Sequence, residues 1–293
     1  MQETEKNQEQ GLFRIGSLSK RTGVSPELLR AWERRYGVLR PARTEGRYRL
    51  YTESDVDRVL LMKTYTDGGM SASDAARMAS NLPGASTGVD GSVLEARRRL
   101  LLQALLAMDD HVANASLDSL LSDLSVEIVL SDVVLPILRD IGEAWKSGEL
   151  DISQEHFAST ILRGRLLGLA RGWGAPLPRR VLLACAPGEM HDLGLICFGI
   201  AAWRRGYSVT FLGQDTPIAA VTRAAREIEP TLVVLLGLTP ERFLPFESEM
   251  KDLAAAAPLA LAGQGASDPM AQAVGAKLMT RDPVTEASLL GAA

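Results

Sequence analysis

Cysteine is nearly absent from this 293-residue chain: only Cys185 and Cys197 occur, both inside apolar segments. Two thiols build no disulfide framework at this size, so buried free thiols in a reducing cytoplasm are the expectation. Long apolar runs are absent too. Nothing approaches the roughly twenty residues that a bilayer-spanning helix needs, and Met1 to Gln10 is polar and acidic rather than a leader. Together these absences predict a soluble cytoplasmic protein with no membrane partner. Neither sign of charge dominates: 32 Lys and Arg stand against 36 Asp and Glu, a net charge of -4. Histidine is confined to His111, His156 and His191, so imidazole chemistry has three candidates. What remains, 46% hydrophobic and 23% charged, suits two or three compact domains with real cores.

The small net charge conceals a basic block. Between positions 11 and 51 lie ten basic residues, Arg14, Lys20, Arg21, Arg30, Arg34, Arg35, Arg40, Arg43, Arg47 and Arg49, against Glu27, Glu33 and Glu45. A chain acidic overall but locally this basic has a local anionic partner. The spacing predicts a helix over 17–22, a turn at Gly23, and a second helix with Ser25 as N-cap and Pro26 at its first position. Leu29, Trp32 and Tyr36 recur at helical spacing, Arg30 and Arg34 share another face, and Gly37 ends the helix. Residues 43–51 read as a basic hairpin interleaved with aromatics. Ser54-Asp55 then caps a third helix, and a short alanine-rich fourth covers 71–79.

Helix, turn, helix, wing, helix is the order of a winged helix-turn-helix. With Ile15-Gly16-x-Leu18-Ser19, Val24-Ser25-Pro26, Leu29-Arg30-x-Trp32-Glu33 and Gly46-Arg47-Tyr48-Arg49-Leu50-Tyr51, residues 12–80 closely resemble the DNA-binding domain of the MerR family. The resemblance implies double-stranded operator DNA as partner. Arg30, Trp32 and Arg34 would meet its backbone or groove, and Arg47, Tyr48, Arg49 and Tyr51 its phosphates. Guanidinium groups grip phosphate bidentately and aromatics pack along sugars. Trp32, at helical spacing, also suits a core position.

A disordered tail over 1–11 precedes this unit, and a Gly-, Ser- and Pro-rich linker over 81–91 follows it. Residues 92–175 predict a four-helix bundle, with helices over 94–108, 111–121, 127–145 (Pro136 inside) and 153–171, the last capped by Ser153. Residues 176–293 alternate strands at 181–186, 208–212, 231–236 and 259–262 with helices at 195–205, 218–229, 247–256 and 270–274. That alternation predicts a Rossmann-like, doubly wound parallel sheet. The fold class is therefore multidomain, α and α/β.

The first strand of that sheet leads into Glu189-Met190-His191-Asp192-Leu193-Gly194. A histidine at the carboxyl edge of a parallel sheet can offer its imidazole to a ligand lying across that edge, with Glu189 placed to orient the ring and fix its tautomer. The pattern resembles the cobalt-ligating signature of cobalamin-binding domains, where aspartate more often takes the first position. Trp145, followed after nine residues by Glu155-His156, resembles the bundle signature of CarH/LitR-type light-responsive repressors.

These resemblances imply adenosylcobalamin as cofactor. His191 would be the metal ligand, and Glu189, Asp192, Gly194, Gln214, Thr216, Thr239, Gly263 and Gly265 would line its site. Trp145, Glu155 and His156 would cover the upper face. The implied protein is a regulator rather than an enzyme, a repressor whose self-assembly as dimer or tetramer and affinity for DNA answer to the cofactor and to light. Several weak basic heads on one assembly gain avidity on repeated sites. Lys146 stands where members of the family it resembles can carry a second histidine, which implies a photoproduct less tightly locked. Two other readings use the same parts: a regulator sensing haem, a bilin or a protein antagonist, and a cobalamin-dependent methyl carrier or enzyme. No additional catalytic or substrate domain is visible to support the latter.

Overall fold

The computed structural model describes residues 13–39, 41–43, 49–67, 69–80, 91–174 and 177–290. The expected tail over 1–11, the wing residues Arg47 and Tyr48, and the linker over 81–91 lie outside these, save Gly91, which is helical rather than linker. The chain divides into two compact units, Met1–Val89 and Asp90–Ala293.

In the first unit, α1 (Ile15–Thr22) and α2 (Pro26–Tyr36) flank a turn at Gly23, whose φ of 67° is left-handed. Ser25 caps α2 by accepting from the Leu28 N–H, and Pro26 occupies a position where no backbone donor is needed. Strands β1 (Ala42–Arg43) and β2 (Arg49–Leu50) pair antiparallel. Helix α3 (Glu53–Asp67) starts one turn's edge earlier than Ser54-Asp55 suggests. Thr52 is its cap: the Thr52 Oγ1 accepts from the Asp55 N–H at 3.3 Å, and the Asp55 carboxylate accepts from the Thr52 N–H at 2.9 Å. Helix α4 (Ala72–Ser80) closes a core of Leu18, Leu29, Trp32, Tyr51, Met62 and Tyr65.

The second unit begins with four helices: α5 (Gly91–Leu106), α6 (Asp110–Asp123), α7 (126–147) and α8 (Ile152–Leu169). Two details differ from the sequence expectation. In α7 the stretch Val129–Val134 is a π-helical turn, so the Leu135 N–H reaches back to the Leu130 carbonyl. Pro136 explains it: proline has no N–H for the carbonyl four residues back and crowds it, and the widened turn just upstream absorbs the misfit. In α8 the cap is Asp151 rather than Ser153. Its carboxylate accepts from the Ser153 N–H, and Gln154 accepts from the Asp151 N–H, a reciprocal box.

A five-stranded parallel sheet follows, built from β3 (Arg179–Cys185), β4 (Tyr207–Gly213), β5 (Leu232–Leu236), β6 (Leu259–Ala262) and β7 (Lys277–Leu278) in the order β4-β3-β5-β6-β7. The connecting helices are α9 (Leu193–Arg204), α10 (Ile218–Ile228), α11 (Glu247–Ala256) and α12 (Asp268–Val274), with α13 (Pro283–Ser288) after β7. Strand alternation sorts the two faces. Leu182 and Ala184 pack with Val221, Met250 and Val274 beneath α10, α11 and α12, while Leu183 meets α9 at Gly199. Helix α9 lies between the sheet, α8 and α13, and is buried continuously from Leu195 to Arg204, which is why its sequence shows no helical period. Both cysteines are free and buried; burial foremost pushes each thiol up to about 12. No helix among the described residues is long and apolar enough to cross a membrane.

Strand order reverses between β3 and β5. At such a switch point the connections leave in opposite directions and open a crevice at the carboxyl edge.

Candidate functional site

His191 stands at that crevice. Its ring is 69% exposed, whereas the Glu189 carboxylate beneath it is 2% exposed. Glu189 Oε1 accepts from His191 Nδ1 at 2.6 Å and from the His191 backbone N–H at 2.9 Å. Oε2 accepts from the Leu238 N–H at 2.8 Å, in the loop after β5. One buried carboxylate therefore ties together the two loops that flank the switch point. Burial raises its pKa, but the Leu238 and His191 N–H groups and the imidazole outweigh burial and hold it below the usual carboxylate range. With Nδ1 engaged by Glu189, Nε2 is the ring nitrogen left to the exposed side. No three metal-ligating side chains gather among the described residues. A lone imidazole suits a metal that arrives with its other ligands already in place.

Other expected residues divide into those that shape this loop and those committed elsewhere. Gln214 donates to the Met190 carbonyl at 2.5 Å, and Asp215 accepts from the Gly188 N–H at 2.6 Å, so the loop after β4 braces the histidine loop. Thr216 is buried, its hydroxyl turned to the carbonyls of Gly213 and Gln214. Asp192 is a correction. It is buried and accepts from Arg163 of α8 at 2.9 Å, so it clamps the bundle to the loop instead of facing a ligand. Gly194, in the first turn of α9, has only ordinary contact with Pro283 where a Cβ would stand. Gly263 and Gly265 lie where two loops meet. Cβ atoms there would meet the Gly237 and Thr239 backbones at 2.4 and 2.3 Å, so these glycines allow the loops after β5 and β6 to pack closely. Thr239 itself is exposed.

Trp145 ends α7 with 52% of its surface exposed. In the first turn of α8 the Glu155 carboxylate engages His156 Nδ1 at 2.7 Å and the Ser159 hydroxyl at 2.6 Å. His156 and Arg163 are seven residues apart, hence on one face of α8 and about 10 Å apart along its axis. That face meets the histidine loop through Arg163.

In the first unit Arg30 and Arg34 are exposed on α2, as a backbone-gripping role requires. Trp32 and Tyr51 are corrections: 5% and 0% exposed, they are core residues with no free face for a sugar. Arg49 is exposed but paired, donating to Glu33 at 2.9 Å, and the Tyr51 hydroxyl donates to the other oxygen of Glu33 at 3.1 Å. Burial first, then the Glu33 charge, raises the Tyr51 pKa to about 12. No local pattern marks Glu33 as functional, because its partners lie sixteen and eighteen residues away. It ties β2 to α2. Glu33→Ala frees the Arg49 charge and loosens that tie, so specificity falls about tenfold, roughly the worth of one charge-assisted hydrogen bond. Anisotropy titrations on a selected duplex and a scrambled one read that ratio, and an unchanged ratio refutes the role.

Two family models match the chain. The MerR HTH family regulatory protein model matches residues 13–82, and the B12 binding domain model matches residues 97–167, which span most of the four-helix bundle. The HTH-type transcriptional repressor CarH of Myxococcus xanthus is 35% identical over 261 residues, 85% of this chain and 86% of its own. The repressor CarA of the same organism is 33% identical over 262 residues, 87% and 88% of the two chains. Among solved structures, the monomethylamine corrinoid protein of Methanosarcina barkeri aligns with 64% of this chain and 94% of its own, at a TM-score of 0.55 and 15% identity. That last likeness is one of fold.

Proposed function

We propose that this chain, which belongs to the CarH/CarA family of MerR-type transcriptional repressors and carries a B12-binding domain, binds adenosylcobalamin through His191 and uses light to switch its assembly on operator DNA. One observation carries the reading: an outward Nε2, set by a buried carboxylate, at the switch point of a parallel sheet. Glu189 holds the tautomer that leaves Nε2 free to ligate, and its negative charge strengthens the imidazole as a donor. When bound, the cofactor supplies a cobalt–carbon bond weak enough for visible light to break.

Trp145, by apolar contact, and Glu155 with His156, by hydrogen bonds, would hold the cofactor from the bundle side. Arg163 of α8, through Asp192, ties the helix carrying that pair to the loop carrying His191. A ligand held between loop and bundle in one state only biases the bundle's position, which is what shifting an assembly equilibrium requires. Assembly as dimer or tetramer brings several DNA-binding heads together, and disassembly removes their avidity.

Gel filtration with absorbance, on protein mixed with adenosylcobalamin in darkness and after green light, tests the reading beside His191→Ala. Wild type should carry cobalamin in a larger species that shrinks on illumination, and the variant should bind poorly. Lys146 is exposed and a protonated amine is a poor cobalt ligand, so the illuminated spectrum should lack a second nitrogenous axial ligand unless His156 supplies it. Wild type that elutes unchanged and colourless refutes the cofactor, and haem and bilins are then the ligands to try.

A further inference from the structure

We propose that Arg242 recognises the anionic phosphodiester in the nucleotide tail of the ligand. The proposal rests on the cobalamin reading of the site, and its basis is an arginine that lacks an anion. Arg242 closes the short turn Pro240–Arg242 after β5 and reaches across the crevice to the loop after β3. A Cβ on Gly188 would stand 2.2 Å from Arg242 Nη1 and 3.2 Å from Cζ, so the guanidinium lies directly against that backbone, one residue before Glu189. Gly188 also has a left-handed φ of 76°, which disfavours a side chain there, and any Cβ would have to push the guanidinium aside.

The Nε of Arg242 is buried and has no hydrogen-bond partner among the described residues. Nearby carboxylates are engaged elsewhere. Glu189 is committed to His191 and Leu238, and Asp215 to the Gly188 N–H. Glu241 feels the Arg242 charge but bonds to Thr239. A guanidinium with a desolvated, unanswered N–H is costly to hold, and something must answer it when the site is in use.

The chemistry of the missing acceptor follows. A neutral amide carbonyl satisfies the N–H but leaves the charge. A phosphodiester satisfies both, because Nε and one Nη form a planar fork that matches two phosphate oxygens. Cobalamin carries one such anion, in its nucleotide tail. Cobinamide keeps the corrin ring and its side-chain amides but has no phosphodiester.

The test is a spectral titration of the full-length apoprotein, in darkness, with adenosylcobalamin and with adenosylcobinamide. Wild type, Arg242→Met and Arg242→Lys are compared. Arg242→Met should weaken adenosylcobalamin at least about tenfold, the loss of one charge-assisted pair, and leave adenosylcobinamide within about twofold. Arg242→Lys should recover part of the loss, as a point charge without the fork. Retained cobinamide binding also shows that the variant is folded. An equal loss on both ligands, or none on either, overturns the role of Arg242 while the cobalamin reading stands. Wild type that binds neither corrinoid refutes the cobalamin reading itself.

Discussion

Glu189→Ala should lower the affinity for adenosylcobalamin by about 100-fold, the upper end of what losing a partner behind a metal-bound histidine costs. Glu189 is not placed to touch the ligand. Its effect comes from what it holds: the His191 ring, the His191 N–H and the Leu238 N–H. Alanine releases the ring to rotate and to adopt either tautomer, and it leaves two backbone donors without their acceptor. Each unmet donor costs about 1–3 kcal/mol, so the variant should also unfold at lower temperature. Glu189→Gln separates the two effects. A Gln side chain presents one acceptor and one donor, so it can serve one loop but opposes the N–H of the other. Affinity should then fall about tenfold, between wild type and alanine. Spectral titration and thermal unfolding, run on all three proteins, read both quantities. Alanine binding within about threefold of wild type would show that second-partner orientation is not how this loop works.

Much of this arrangement is legible in the sequence, and the exceptions share a cause. Local rules succeed where the signal is local. Ser25-Pro26 marks the start of α2, and the regular alternation of strand and helix gives the parallel sheet. The two residues of β7 and six of α13 are too short to show a period. The π-turn in α7 leaves no mark but Pro136, which reads as a kink. Asp192 misleads by adjacency: successive side chains near a helix start diverge by about 100°, and this one turns to Arg163 while His191 turns outward. Trp32 and Tyr51 mislead because aromatics beside arginines suit both a nucleic-acid face and a core. Contacts between distant residues are invisible to any local pattern. Arg163 meets Asp192 across 29 positions, and Arg204 meets Glu127 across 77.

That last pair carries the second large effect. Arg204, at the end of α9, is 5% exposed, and its partner Glu127, in the first turn of α7, is 13% exposed. Arg204→Ala leaves the Glu127 carboxylate buried and uncompensated apart from the helix N-terminus, which offsets only about 0.3–1 kcal/mol. Breaking a buried pair from one side costs about 3–5 kcal/mol. At roughly 2–4 °C per kcal/mol for a unit of this size, the melting temperature should fall by about 6–20 °C. Glu127→Gln should cost less, because the amide oxygen can still accept from the guanidinium. The double variant Arg204→Met with Glu127→Leu should recover most of the loss, since it removes both desolvation costs together.

The functional consequence concerns α9, which begins beside His191. Arg163 clamps it near the start through Asp192, and Glu127 clamps it at the end. With both clamps in place, bundle and sheet should unfold as one transition. With Arg204→Ala, calorimetry should resolve a bundle transition below that of the sheet. A single transition at the wild-type temperature would mean that the pair does not couple them, and the link from cofactor loop to bundle would rest on Arg163 alone.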